Sequence, residues 1–239
     1  MSIKKHIPNT ITSMNLLSGA LGVICTFHGE MGLAFCLMLL AAVFDFCDGL
    51  AARLLGAYSP IGKELDSLSD MVSFGLLPSL MLVCTMEQHG AAFWASLLPL
   101  FLAVMSGLRL AKFNVDERQT TDFLGVATPT AAIICGSLCC YIWCCTDSIL
   151  VSWAGSIWFL PVLALVLGLL LVSEIPMFGM KVAKGHKLLD AKRIVFLVLS
   201  GVAIAATAVF RLNWSLAVLL IFCIYLVENL LLAIARPRR

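Results

Sequence analysis

Eight times along this chain the sequence runs apolar for nearly, or fully, the length needed to cross a bilayer. The runs fall at about 13–28, 31–54, 66–86, 91–113, 127–146, 154–176, 193–210 and 213–235. A helix rises 1.5 Å per residue, so roughly 20 residues cross a hydrocarbon core of about 30 Å; the first and seventh runs are short of that. The runs are continuous and do not alternate, which argues against a transmembrane β-barrel. The expected fold is an all-α bundle of about eight transmembrane helices, forming one integral-membrane domain over residues 1–239.

Composition agrees. Of 239 residues, 61% are hydrophobic and 13% are charged, roughly half the charged share of a soluble domain. A net charge of +2 is too small to point to a nucleic-acid partner. The placement of the charges says more than their sum. Of sixteen lysines and arginines, all but Arg211 fall on one side of an eight-helix arrangement. The positive-inside rule then puts both termini in the cytoplasm, with the cell membrane as the expected location. The N-terminal MSIKKHIPNT lacks the apolar core and cleavage pattern of a removable signal peptide. The polar stretch KKHIPNTITSMN reads as an interfacial segment before the first span, with Pro8 and Asn9 as a helix start, or as a flap over a site. Ten cysteines sit mostly inside apolar runs; Cys135, Cys139, Cys140, Cys144 and Cys145 have helical spacing and read as packing residues, with room for a bridge near Cys144 or Cys145.

Against this background the stretch DFCDGLAARLLGAYSPIGKELDSLSD, Asp45 to Asp70, stands out. Asp45 and Asp48 are three apart and Asp66 and Asp70 four apart, so each pair projects from one helical face. On the eight-helix topology the two pairs meet across an antiparallel hairpin in the cytoplasmic half of the membrane. Four carboxylates there cost a few kcal/mol each and repel one another. Oxygen ligands in that number suit Mg²⁺ or Mn²⁺, and two such ions clamp a phosphoryl group. Gly49, Ala52 and Gly62 permit a flat base or a pyrophosphate to approach, or permit close helix packing. Arg53 suits a phosphate or simply the positive-inside pattern. GAYSPIGKE is not a P-loop: the glycine spacing is one too long and no Ser or Thr follows Lys63.

The pattern Asp45-x2-Asp48-Gly49-x2-Ala52-Arg53-x8-Gly62-x3-Asp66-x3-Asp70 resembles the signature of the CDP-alcohol phosphotransferases at every fixed position. The resemblance implies a membrane transferase that cleaves the pyrophosphate of a CDP-linked lipid and releases CMP. It implies two divalent cations, Mg²⁺ or Mn²⁺, on Asp45, Asp48, Asp66 and Asp70, with Asp70 as general base, and a homodimer. The nucleotide is expected along Asp48, Gly49, Ala52 and Arg53, with Gly62 nearby. PNTITSMNLLSG, LRLAKFNVDERQTTDFLGVATPTAA and, more loosely, LVSEIPMFGMK look like segments of bacterial and archaeal phosphatidylserine synthases. That implies CDP-diacylglycerol as donor and L-serine as acceptor, with Asn15 of the first segment added to the donor contacts. Two departures stand out: Lys112 where arginine is the pattern, and GVATPT in place of Gly-Leu-Pro.

Serine carries a carboxylate, so its pocket needs cations near the metals. Arg109 and Lys112 share a helical face at the expected level, with Asn114, Lys181 and Lys184 nearby; Glu174 is a candidate partner for one of these cations or for the serine ammonium. Headgroup contact or topology explains the same cations without a pocket. Glycerol 3-phosphate or inositol phosphate is the alternative acceptor, and a membrane transporter is a remoter reading. Carboxylates crowded into one half of the bilayer and the lack of an inverted repeat speak against the transporter.

Overall fold

A computed structural model of the chain describes residues 6–115, 123–145, 148–154, 156–177 and 191–235. Among these, α1 (His6–Phe27) and α2 (Met31–Leu55) form a hairpin. A long third helix follows, built from α3 (Pro60–Asp70), a π-helical turn (Met71–Leu76) and α4 (Leu77–Gln88). Next come α5 (Phe93–Ser96), which leads through a 3-10 turn into α6 (Phe101–Val115), then α7 (Thr128–Cys144), α8 (Ile149–Ala154), α9 (Phe159–Val172), α10 (Ala191–Val209) and α11 (Trp214–Ala235). Two two-residue strands, β1 (Phe123–Leu124) and β2 (Pro176–Met177), pair antiparallel between α6 and α10 in chain order.

Among the described residues, five helical stretches are long and apolar enough to cross a membrane: His6–Phe27, Met31–Leu55, Pro60–Gln88, Phe93–Val115 and Trp214–Ile234. Three shorter apolar helices, Thr128–Cys144, Phe159–Val172 and Arg193–Val209, complete the set. Each of the eight falls on one of the apolar runs. The chain is a polytopic helical membrane protein.

The first helix differs from expectation. From His6 onward the polar stretch forms the opening turns of α1 and runs without a break into the first span. Its hydroxyls make this possible. Thr10, Thr12 and Ser13 donate to the carbonyls of His6, Pro8 and Asn9, at 2.9, 3.0 and 2.8 Å, so each of these hydroxyls is satisfied inside its own helix.

The core centres on α7, whose residues from Ala131 to Ile142 are all buried and which packs against α2, α4, α9 and α11. Phe35 and Met38 of α2, Phe74 of the π turn and Leu77, Met81 and Leu82 of α4 fill the space around it. Cys135, Cys139 and Cys140 are buried in this core, and all ten cysteines are unbridged.

All five tryptophans lie at one end of the bundle. Trp94 is 80% exposed and Trp153 and Trp158 are also exposed. Trp143 donates to Thr85 at 3.0 Å near the end of α4, and Trp214 stacks on Phe35 at 5.4 Å near the start of α2. Such a ring of indoles marks a membrane–water boundary. Asp45, Asp48, Asp66 and Asp70 lie toward the opposite end.

Candidate active site

Local signals set the turn between α2 and α3. Gly56 closes α2 in the left-handed conformation, φ 59°, with its N–H on the carbonyls of Ala52 and Arg53. Three residues later Ser59 caps α3: its Oγ accepts from the Gly62 N–H at 3.0 Å, and Pro60 occupies the first turn. The chain therefore reverses within a few residues, which brings the last turns of α2 opposite the first turns of α3.

The last turns of α2 and the first turns of α3 face each other across a gap. Helix α1 packs against both, and the space between them is a cavity of about 550 Å³. Pro8, Asn9 and Thr12 of α1 wall one side. Asp48, Gly49 and Ala52 of α2 and Gly62, Lys63 and Asp66 of α3 wall the others, and the turn Ala57–Pro60 closes the end. That volume lies in the range of small-molecule sites.

At the inner edge of the cavity Asp45, Asp48 and Asp66 each offer a carboxylate oxygen, all within 4.8 Å of one another. Asp48 Oδ2 and Asp66 Oδ1 are buried without a hydrogen-bond partner. Three converging carboxylates, two of which carry a buried oxygen without a partner, are chemically suited to a divalent cation such as Mg²⁺ or Mn²⁺. Asp70 stands one turn further along, outside this trio. It is 9% exposed, and its Oδ1 accepts from Asn15 Nδ2 at 3.3 Å.

Comparison with known proteins bears directly on this arrangement. The family model for CDP-alcohol phosphatidyltransferases matches residues 5–170, the segment from α1 into α9 that contains the cavity and all four aspartates. The chain belongs to this family. Among curated relatives it is similar to three proteins named CDP-diacylglycerol–serine O-phosphatidyltransferase. The one from Bacillus subtilis is 34% identical over 54% of this chain and 72% of its own length. Those from Mycobacterium leprae and Methanocaldococcus jannaschii are each 31% identical, over 72% and 73% of this chain. The match spans 75% of the Methanocaldococcus protein but only 57% of the Mycobacterium one.

Within this family member the signature residues fall into distinct places. Gly49 faces open space: a Cβ built there meets nothing within 4 Å and would project into the cavity. Gly62 is packed. A Cβ there would lie 2.9 Å from both Asn9 Oδ1 and Ser59 Oγ, so this glycine lets α1 close on α3. Arg53 is exposed, its Nε donates to the Gly49 carbonyl at 2.9 Å, and it is not part of the cavity wall. Asn15 is fully buried behind the cavity, against Asp70.

The expected acceptor residues separate. Arg109 Nη1 donates to Thr128 Oγ1 at 2.9 Å, the guanidinium lies 6.0 Å over the Phe113 ring, and its Nε is buried without a partner. Arg109 also lies within electrostatic reach of Asp70. Lys112 pairs instead with Glu174 at 3.4 Å, both groups well exposed, so the pair contributes little to stability. Asn114 Nδ2 donates to Ser67 Oγ at 2.8 Å, and its carbonyl accepts from Lys63 Nζ, also at 2.8 Å. Lys181 and Lys184 lie outside the described residues.

Sequence reasoning missed much of the cavity wall. Asn9, Thr12, Tyr58 and Ser59 line it, as does Lys63, a cation between the carboxylates and the end of α6. The SPIG capping pattern beside the aspartates was the available signal for Ser59 and Lys63. Asn9 and Thr12 belong to the polar stretch read from the sequence as a flap over a site, and they reach the cavity because α1 packs against both α2 and α3.

Proposed function

We propose that this protein transfers the phosphatidyl group of CDP-diacylglycerol to L-serine, giving phosphatidylserine and CMP. The observation that carries this reading is the convergence of Asp45, Asp48 and Asp66 at the edge of a nucleotide-sized cavity, in a family member whose curated relatives bear that activity in their names.

The cytidine diphosphate occupies the cavity beside Asp48, Gly49, Ala52 and Gly62, with Arg53 at its rim. Asp45, Asp48 and Asp66, with Asp70 adjoining, would hold two divalent cations, Mg²⁺ or Mn²⁺; when bound, these offset the charge of the pyrophosphate and of the departing CMP. The serine hydroxyl is a poor nucleophile near neutral pH and needs a positioned base. Asp70 takes its proton. A bond forms from the serine oxygen to the lipid-side phosphorus, and the bond from that phosphorus to the bridging oxygen breaks. CMP leaves with the electron pair. Arg109, half-buried near Asp70 with its Nε–H unused, is suited to the serine carboxylate; Lys112, Asn114 and Lys181 complete the proposed acceptor side.

In the membrane the proposal takes all eight apolar helices as spans of one domain. Both termini and the cavity face the cytoplasm, the chain sits in the cell membrane, and the working unit is a homodimer. The deciding experiment incubates purified protein with CDP-diacylglycerol and a panel of alcohols. CMP release with serine alone supports the reading; release with glycerol 3-phosphate or inositol phosphate in place of serine overturns the acceptor assignment.

A further inference from the structure

We infer that Asn15 is a positioning residue for Asp70: its amide N–H fixes which oxygen of that carboxylate is free to receive the acceptor's proton. The inference deepens the proposed function and rests on Asp70 being the base.

Asn15 lies on α1, 55 positions before Asp70, with no exposed surface and no place in the cavity wall. It therefore stands behind the cavity wall, one turn past Thr12. Its Nδ2 donates to Asp70 Oδ1 at 3.3 Å, while its own Oδ1 is buried without a partner. Burying a carboxamide with its acceptor unmet is costly, and an apolar side chain would fill the space without that cost. What the amide supplies there is the N–H on Asp70.

The backbone around the pair is held at a second point. Ser73, fully buried on the π turn one turn past Asp70, donates to the Asn15 carbonyl at 3.1 Å. Gly19, one turn along α1, makes this approach possible: a Cβ there would stand 2.8 Å from Ser73 Cα. Asn15 and Asp70 are thus carried on two backbones locked to each other. With Oδ1 engaged, Asp70 keeps Oδ2 for the hydroxyl and is restrained from swinging into the Asp45–Asp48–Asp66 trio.

The test compares wild type, Asn15→Ala, Asp70→Asn and the double variant by kcat, by KM for each substrate, by thermal unfolding in detergent and by Mn²⁺ binding in EPR. Asn15→Ala is expected to lower kcat by roughly 10- to 100-fold, the scale of a misplaced reacting group. Donor KM, unfolding temperature and Mn²⁺ binding should stay close to wild type, and the Asn15 change should add nothing once Asp70 is Asn. A raised donor KM with kcat intact would make Asn15 a donor contact and overturn the inference. An unchanged kcat, or a kcat loss that tracks lost Mn²⁺ binding or lost stability, overturns it as well. If Asn15→Ala does not fold, Asn15→Ser substitutes: its hydroxyl is too short to reach Asp70, and wild-type kcat in that folded variant is equally fatal. An active Asp70→Asn enzyme would instead sink the assignment of the base, a result separable from an inactive Asp70→Asn beside a fully active Asn15→Ala.

Discussion

The two glycines of the signature do different work, and substitution should tell them apart. Gly49 opens on the cavity, so Gly49→Val should fold normally and raise the KM for CDP-diacylglycerol by an order of magnitude or more, because its methyls occupy donor space; steady-state kinetics on the purified variant checks this. Gly62 is wedged between Asn9 and Ser59, so Gly62→Val should lower the unfolding temperature in detergent by forcing α1 off α3. At the carboxylates, Asp70→Asn should cut kcat by about 10²- to 10⁴-fold, the usual range for a general base, while CDP-diacylglycerol still binds. Excess EDTA should stop CMP release, and added Mg²⁺ or Mn²⁺ should restore it; full activity in EDTA would end the metal reading.

Among the elements, the π turn Met71–Leu76 has the largest leverage. It sits between the helix that carries Asp66 and Asp70 and the core helix α4, with the Leu77 N–H reaching back five residues to the Val72 carbonyl. Each α-helical residue turns the chain by about 100°, so the extra residue of a π turn sets the rotation of everything before it. Deleting Val72 should restore a continuous α-helix and swing Asp66 and Asp70 away from Asp45 and Asp48. The expected outcome is a folded, helical protein by circular dichroism that has lost both Mn²⁺ binding and turnover. None of this was legible in the sequence. Hydropathy located the eight longer apolar helices among the described residues, because burial in lipid imposes length and composition on each segment locally. It is blind to hydrogen-bond register, and so to the π turn. The aspartates were legible because their spacing is helical and their cost in a membrane is high. The Asn15–Asp70 contact was not, since it depends on how α1 lies against α3. Glu174 was legible as a partner for one of the cations near it, but Lys112 looked equivalent to Arg109 on a helical face, and only the fold shows that Lys112 takes it.

For the whole molecule, the four aspartates and the five tryptophans divide between the two ends. The proposed orientation puts the cavity inside the cell and the tryptophans outside. In a variant with Cys144 and Cys145 replaced by serine, Tyr58→Cys should resist an impermeant maleimide in right-side-out vesicles and react once they are opened; labelling without opening would reverse the orientation. The family match ends at residue 170, so α10 and α11 lie beyond the family model, although α11 packs against the central α7. The crowding of every indole at one pole has a practical result. Thr85, the partner of Trp143, is fifteen residues past Asp70, roughly 22 Å along the helix. Ultraviolet emission from the native protein therefore watches the far membrane surface and not the chemistry. A ligand titration followed that way will stay flat while the site fills, and Tyr58→Trp, which plants a fluorophore in the cavity wall, is the spectroscopist's remedy.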